Sequence, residues 1–406
     1  MEKVSLNSAT TKSREPGAPV QAGFIPLSIP VMGGKEWQYV KECLDTGWVS
    51  SVGPFVDKLE KMMCEYVGVK HMVATTSGTA ALHTAVILAG VQPNEEVITS
   101  SMSFIATANS VRYVGAWPVF IDTESEYFQM DPQKLSEFVE TACTWTDGKL
   151  INKATGRRIR AIMPVHALGH PADMDPILAI ARKYSLKVIE DTAEGMGVKY
   201  KGRHVGQFGD IGCFSFNGNK IITTGGGGMI ASNDSAIAER AKYLTTQAKD
   251  DAIEFIHGDL GFNYRLTNVQ AAMGVAQLEV LNKFVAKKRH IASRYEKAFA
   301  GHPGIRTMKE SPDAFCTYWM YTVLIDQNRF GMDSRQLLKA LGDQKIQARP
   351  LWQPLHQSKV HQGAFAYHCE TSEKLNRDAL SLPCSVDLTD EGQDRVIETI
   401  LSLAKG

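Results

Sequence analysis

Cysteine is scarce. Seven occur among 406 residues, an odd number, and no two stand in a C-x-x-C spacing. This argues against a disulfide framework and against a zinc site, and no metal centre is expected; a reducing, cytoplasmic location is. Charge of either sign is also not in excess. Lys plus Arg total 44 and Asp plus Glu total 44, for a net charge of zero. Nucleic-acid and polyanion binders carry a basic field that this chain lacks, which leaves open only a small anion held in a local pocket. No apolar run is long enough to span a bilayer, so no membrane partner is expected. The opening MEKVSLNSATTKSREPGAP has no apolar core of the signal-peptide kind. It is polar, and residues 1–22 are read as a disordered tail. Internal repeats and low-complexity segments are absent from the rest.

What is present is an ordinary globular composition, 44% apolar, on a chain longer than one typical domain. Short β-branched runs alternate with helical stretches from about residue 70 to 235. Candidate strands are His71–Thr75, Glu96–Ser100, Trp117–Asp122, Arg160–Val165, Leu186–Asp191, Ile211–Phe216 and Gly228–Ala231. Helical pattern lies between several of them, at Thr79–Ala89 and at Asp175–Tyr184, where Asp175-Pro176 reads as an N-cap followed by proline. Such alternation predicts an α/β fold with a mostly parallel sheet covered on both faces. A long helix is predicted over Asn268–Phe299, capped by Thr267 or Asn268, with Leu278, Leu281 and Val285 at helical spacing. Beyond it come a strand at Tyr318–Asp326, a helix at Asp333–Leu341 and a last helix after Asp390. The expected division is a large domain over 23–270, then a connecting helix and small C-terminal domain over 271–406.

Sheets of this kind bind ligands beyond the carboxyl ends of their strands. Four segments there are chemically distinctive. Ser77-Gly78-Thr79 opens a helix after the first strand, where backbone N–H groups and the helix dipole favour an anion. Glu190, Asp191 and Glu194 follow an apolar strand, and a strand-end carboxylate suits a protonated heterocyclic nitrogen. Lys220 sits in CFSFNGNK ahead of a four-glycine run, a setting in which desolvation makes an amine a Schiff-base nucleophile and Ser215 can bind phosphate. GFNYRLTN, residues 261–268, carries one arginine suited to an anion. Alone, each is a common turn, cap or surface lysine. In this order and strand context they are what a pyridoxal-phosphate enzyme requires.

The motifs GWVSSVGPFVDKLE, TSGTAALHTA, SFIATANSVRYVGAWPVFID, VHALGHPADMD, VIEDTAEGMG, GCFSFNGNKIITTGGGGMI, GFNYRLTNVQAAMGVAQLE and ARPLWQPLH carry a resemblance from about Ile25 to the C-terminus. The chain resembles the DegT-type sugar aminotransferases, and most those of the legionaminic-acid and bacillosamine routes that act at C4. The resemblance implies the aspartate-aminotransferase fold, with a mixed, mostly parallel seven-stranded sheet. It implies pyridoxal 5'-phosphate as cofactor, with pyridoxamine phosphate as its amine-carrying form. Lys220 matches the lysine that bears the cofactor and moves protons, and Asp191 the partner of the pyridine nitrogen. Gly78, Thr79 and Ser215 match phosphate-binding positions, and Phe104 an aromatic that stacks on the ring. Asn263 matches a residue reaching the neighbouring subunit's cofactor, so a homodimer with shared sites is implied. Glu194 stands near the ring hydroxyl where many relatives have Gln or His, and Gly226 where many have Glu.

The implied reaction moves an amino group, from glutamate as the expected donor, to C4 of a UDP-linked 4-keto-6-deoxy-N-acetylhexosamine. A GDP- or dTDP-linked keto-sugar is the alternative substrate. The diphosphate needs donors, for which Arg265, Arg349 and His356 are candidates. The uracil and 6-methyl group need apolar surface, which Trp319 and Trp352 offer. Two rival readings remain. Keto-deoxysugar dehydratases of this fold replace the lysine by histidine, against which Lys220 weighs; a non-catalytic relative would have no need of the intact lysine, aspartate and phosphate cup.

Overall fold

The structure, a computed structural model, describes residues 23–251 and 253–405; the tail expected over 1–22 lies outside them. All seven expected strands form one sheet: β1 (His71–Thr75), β2 (Glu96–Ser100), β3 (Trp117–Ile121), β4 (Arg158–Met163), β5 (Lys187–Thr192), β6 (Ile211–Ser215) and β7 (Gly228–Ser232). Their order is β1-β7-β6-β5-β4-β2-β3. Only β7 runs against its neighbours; the other pairings are parallel. Because alternate side chains leave opposite faces of a strand, Ile98, Ile162 and Val188 enter one apolar cluster. Val97, Ala161, Met163 and Ile189 enter another. Burial on both faces is why these strands read as continuous apolar runs rather than as an alternation.

The long helix spans Asn268–Phe299 as expected, and its start is a capping box between Thr267 and Gln270. Leu278, Leu281 and Val285 lie on its buried side. The C-terminal part builds an antiparallel sheet of Ile305–Thr307, Tyr321–Ile325, Ala379–Leu382 and Arg349–Pro350, in that order. Helices Ser334–Asp343 and Asp390–Leu403 accompany it.

Two differences from the expected elements have physical reasons, and two further features add to the outline. The helix expected from Asp175 starts at Met174 with Asp173 in the cap position. Neither aspartate caps it, because Asp173 accepts from the Tyr200 hydroxyl at 2.8 Å and Asp175 pairs with Lys201 at 2.6 Å. The strand expected from Tyr318 starts at Tyr321, since Tyr318 sits at φ +50°, which no extended strand contains. A hairpin, Cys143–Thr146 with Lys149–Asn152, extends the main sheet from β4. Finally, the boundary expected at residue 270 is crossed in both directions. Phe365–Tyr367 pairs in parallel with β3 as an added edge strand, and Ile25 bridges to Ile346 in the C-terminal part.

Candidate active site

A cleft of about 340 Å³ opens over the carboxyl ends of the parallel strands and is closed on its far side by the C-terminal part. Five strand ends feed it. After β1, Ser77 caps helix Gly78–Leu88 through a hydrogen bond from the Ala80 N–H. The Gly78 and Thr79 amides are then the first two of the helix and have no acceptor within it. The turn lies hard against β6 and β7. A Cβ on Gly78 would stand 2.7 Å from the Cβ of Ser215, and one on Gly228 would stand 2.5 Å from the backbone of Ser77. Glycine at both positions lets two strand ends and a helix start converge into a cup with the Ser215 hydroxyl at its wall.

After β5, the alternation of side chains separates two neighbouring carboxylates. Glu190 turns away from the cleft. It accepts the Gly206, Phe208 and Gly209 N–H groups at 2.7–2.8 Å and faces His166 Nε2 at 3.0 Å, so it knits a loop. Asp191 turns into the cleft. It accepts the Thr107 hydroxyl at 2.7 Å and the Ala193 N–H at 3.1 Å, and makes no ion pair among the described residues. Burial pushes its carboxyl above the ordinary aspartate range, only partly offset by those hydrogen bonds and the Lys220 charge. A buried carboxylate held by two donors but lacking a cation is a fitting receptor for a protonated ring nitrogen. Together with the anion cup, it suits pyridoxal phosphate.

Lys220 lies on the loop joining β6 to β7. Its Nζ is 3.4 Å from Glu194 Oε1 and 4.0 Å from the centre of the Trp319 ring. Glu194 is buried, which pushes its carboxyl up, and its other oxygen accepts the Leu168 N–H at 2.8 Å. A carboxylate at this position therefore has two donors, one of them the lysine itself. Phe104 stands in the lining of the cleft and is 55% exposed. Trp319 and Trp352 stack with centres 6.5 Å apart and planes at 10°. Arg349 lines the cleft beside them and is exposed.

The structure thus gathers Gly78, Thr79, Phe104, Asp191, Glu194, Ser215, Lys220, Trp319, Arg349 and Trp352 around one cleft. Three expected residues are elsewhere. Asn263 is exposed, in an isolated bridge with Thr246, and does not line the cleft. Arg265 bridges by its backbone to Thr75 and its charge acts on Glu60. His356, expected at the substrate, lies outside the lining of the cleft, with Nδ1 2.7 Å from Ser101 Oγ and Nε2 3.0 Å from Glu373. The sequence reading passed over Thr107 and Leu168. Thr107 had a signal, since it stands four residues after Ser103 and the two hydroxyls meet at 2.8 Å. Leu168 had none, because it acts through its backbone from a left-handed turn at φ +60°.

Comparison with known proteins agrees with this geometry. Residues 30–401 match the model of the DegT/DnrJ/EryC1/StrS aminotransferase family. The chain is 40% identical over 383 residues to EpsN of Bacillus subtilis, named as a pyridoxal phosphate-dependent aminotransferase, covering 93% of this chain and 95% of that protein. It is 40% identical over 380 residues to the GDP-perosamine synthase of Caulobacter vibrioides, covering 93% and 97%. Among solved structures it is similar to Helicobacter pylori PseC, an aminotransferase involved in pseudoaminic acid biosynthesis. There the TM-score is 0.84 at 26% identity, over 94% of this chain and 99% of that one.

Proposed function

From the premise that the chain belongs to the DegT/DnrJ/EryC1/StrS aminotransferase family, and is a pyridoxal-phosphate-dependent sugar aminotransferase, we propose that it aminates C4 of a UDP-linked 4-keto-6-deoxy-N-acetylhexosamine with glutamate as donor. The observation that carries this reading is the juxtaposition in one cleft of Lys220, Asp191 and the Gly78–Ser215 cup with an exposed arginine and two stacked indoles.

The roles in this reading are supported by position. The Gly78 and Thr79 amides and the Ser215 hydroxyl hold the cofactor phosphate, Asp191 holds the proton on its ring nitrogen, and Phe104 covers its face. When bound, the cofactor withdraws electrons from the carbon next to the transferred nitrogen. Lys220 Nζ removes the proton from that carbon in the donor and returns one at C4 of the sugar. Glu194 receives the lysine ammonium between those steps and so keeps Nζ over the reacting atoms. Arg349 meets the diphosphate, and Trp352 offers apolar surface to the base or the 6-methyl group. In this reading Asn263 serves the cofactor of a second subunit. Exposed apolar side chains in two stretches of the chain support that assembly. Trp37, Leu44, Trp48 and Val52 lie near the helix Glu36–Thr46, and Ile253, Phe255 and Leu260 lie just before Asn263 in the chain.

The relative named GDP-perosamine synthase favours a second reading, a GDP-linked keto-sugar. The decisive experiment offers UDP-, GDP- and dTDP-linked 4-keto-6-deoxysugars with glutamate and follows glutamate consumption. Preference for the UDP N-acetyl substrate upholds the proposal, and preference for the GDP substrate replaces it with the second reading. Lys220→Ala is expected to abolish turnover and the absorbance above 400 nm while remaining folded. Retention of both would remove Lys220 from its role.

A further inference from the structure

Lys288 is a buried cation with no acidic partner among the described residues. It lies on the long helix, is 2% exposed, and directs its ammonium to the Trp319 carbonyl at 2.8 Å, with Cys384 Sγ at 3.5 Å. Burying an ammonium without a carboxylate is costly, so a side chain kept in that state needs a reason other than stability. The reason lies on the other side of Trp319. Its ring lies 4.0 Å from Lys220 Nζ, and its Nε1–H donates to the Asn219 carbonyl at 2.7 Å. Trp319 therefore grips the lysine loop twice, once at the reacting amine and once at the peptide just before it.

The segment that carries Trp319 is itself held out of its preferred shape. Tyr318 is at φ +50°, and a Cβ on Gly169 would lie 2.5 Å from the Trp319 nitrogen. The Leu168–Gly169 turn against which it rests is left-handed at both residues, φ +60° and +84°. That turn also supplies the Leu168 N–H that fixes Glu194, the second neighbour of the Lys220 amine. Both groups touching Nζ are thus referred to one strained turn, and the Lys288 ammonium pins the carbonyl that keeps Trp319 against it.

We propose that Lys288 is a positioning residue for the amino-transfer reaction, holding Trp319 so that its ring and Glu194 together fix the Lys220 amine over the reacting atoms. The proposal rests on Lys220 being the lysine that bears the cofactor, a reading the Lys220→Ala spectrum tests by itself. Lys288→Met removes the charge and keeps the volume. In the full chain loaded with pyridoxamine phosphate, where the Lys220 amine is free, a small amine-reactive probe read by peptide mass spectrometry is expected to label Lys220 several-fold faster in this variant. The kcat is expected to fall about tenfold or more, with KM for either substrate changed less than threefold and the melting temperature equal to or above the wild type. Trp319→Phe should reproduce the faster labelling, and the double variant should lose little more than either single one. A Lys288→Met enzyme with wild-type labelling and kcat would overturn the proposal. So would one whose melting temperature falls in step with its activity, since that marks a structural role alone.

Discussion

At the scale of single residues, the cleft sets function against stability. Asp191 and Glu194 are both buried, and burial raises both carboxyls above their ordinary range. A raised folded-state value means that the stability linked to the group is full below the ordinary carboxylate range and is lost as pH rises through the raised value. Asp191→Asn is therefore expected to raise the melting temperature of the cofactor-free chain at pH 7–8, with the gain shrinking on acidification toward about pH 4. The same variant should lose about 10²–10³-fold in kcat, because an amide does not hold the ring proton. A pH-independent stability difference would show that Asp191 is not the strained charge. Thr107→Val removes one hydrogen bond to that carboxylate. It is expected to weaken cofactor retention by about tenfold, the equivalent of one bond to a charged group, measured by equilibrium dialysis.

At the scale of elements, β3 and the helix Glu370–Asp378 meet through one carboxylate. Asp122, at the end of β3, accepts the Thr371 and Ser372 N–H groups at 2.9 and 2.8 Å and the Lys134 ammonium at 2.6 Å. Burial works against its charge, but Lys134 and Ser372 outweigh it and hold Asp122 below the usual carboxylate range. A depressed value gives stability that is present above the ordinary range and lost as pH falls through the folded-state value. Asp122→Ala should cost about 3–5 kcal/mol in denaturant titration and weaken the acid dependence. An effect under about 1 kcal/mol would mean the contact is incidental. This junction also shows where sequence reading ends. The seven strands were legible because burial on both faces leaves short, mainly apolar runs between helical stretches. The Thr267 cap and the long helix were legible because their signals are local. Asp122 read only as a strand end, since its partners on the helix, Thr371 and Ser372, lie about 250 residues away. The Phe365–Tyr367 strand, three residues long and with no buried position, left no pattern to read. At the site, Lys220, Asp191 and the cup were visible as side-chain types beside turns. The contacts of His356 were not legible, because Ser101 lies about 250 residues away and Glu373 on a separate helix.

At the scale of the whole molecule, two separate stretches of chain offer exposed apolar surface, one around Trp37, 81% exposed, and one around Ile253, 85% exposed, ahead of Asn263. A dimer burying this surface is the expected state in sedimentation, and a fully active monomer would refute it. Mixing Lys220→Ala with an impaired Asn263→Ala chain should restore part of the activity when subunits exchange, because one composite site then carries both native residues. No recovery after proven exchange would mean that the two residues serve the same subunit. The strand Phe365–Tyr367 has a different consequence, one of time rather than of geometry. Synthesis delivers the N-terminal part first. The outer edge of β3 is then a row of unsatisfied peptide groups until residue 367 has left the ribosome, and Ile25 waits for Ile346. The nascent chain must carry an open, sticky sheet margin through most of its translation. A chain cut short at about residue 300 is therefore expected to collect in inclusion bodies rather than to yield a free-standing cofactor-binding half.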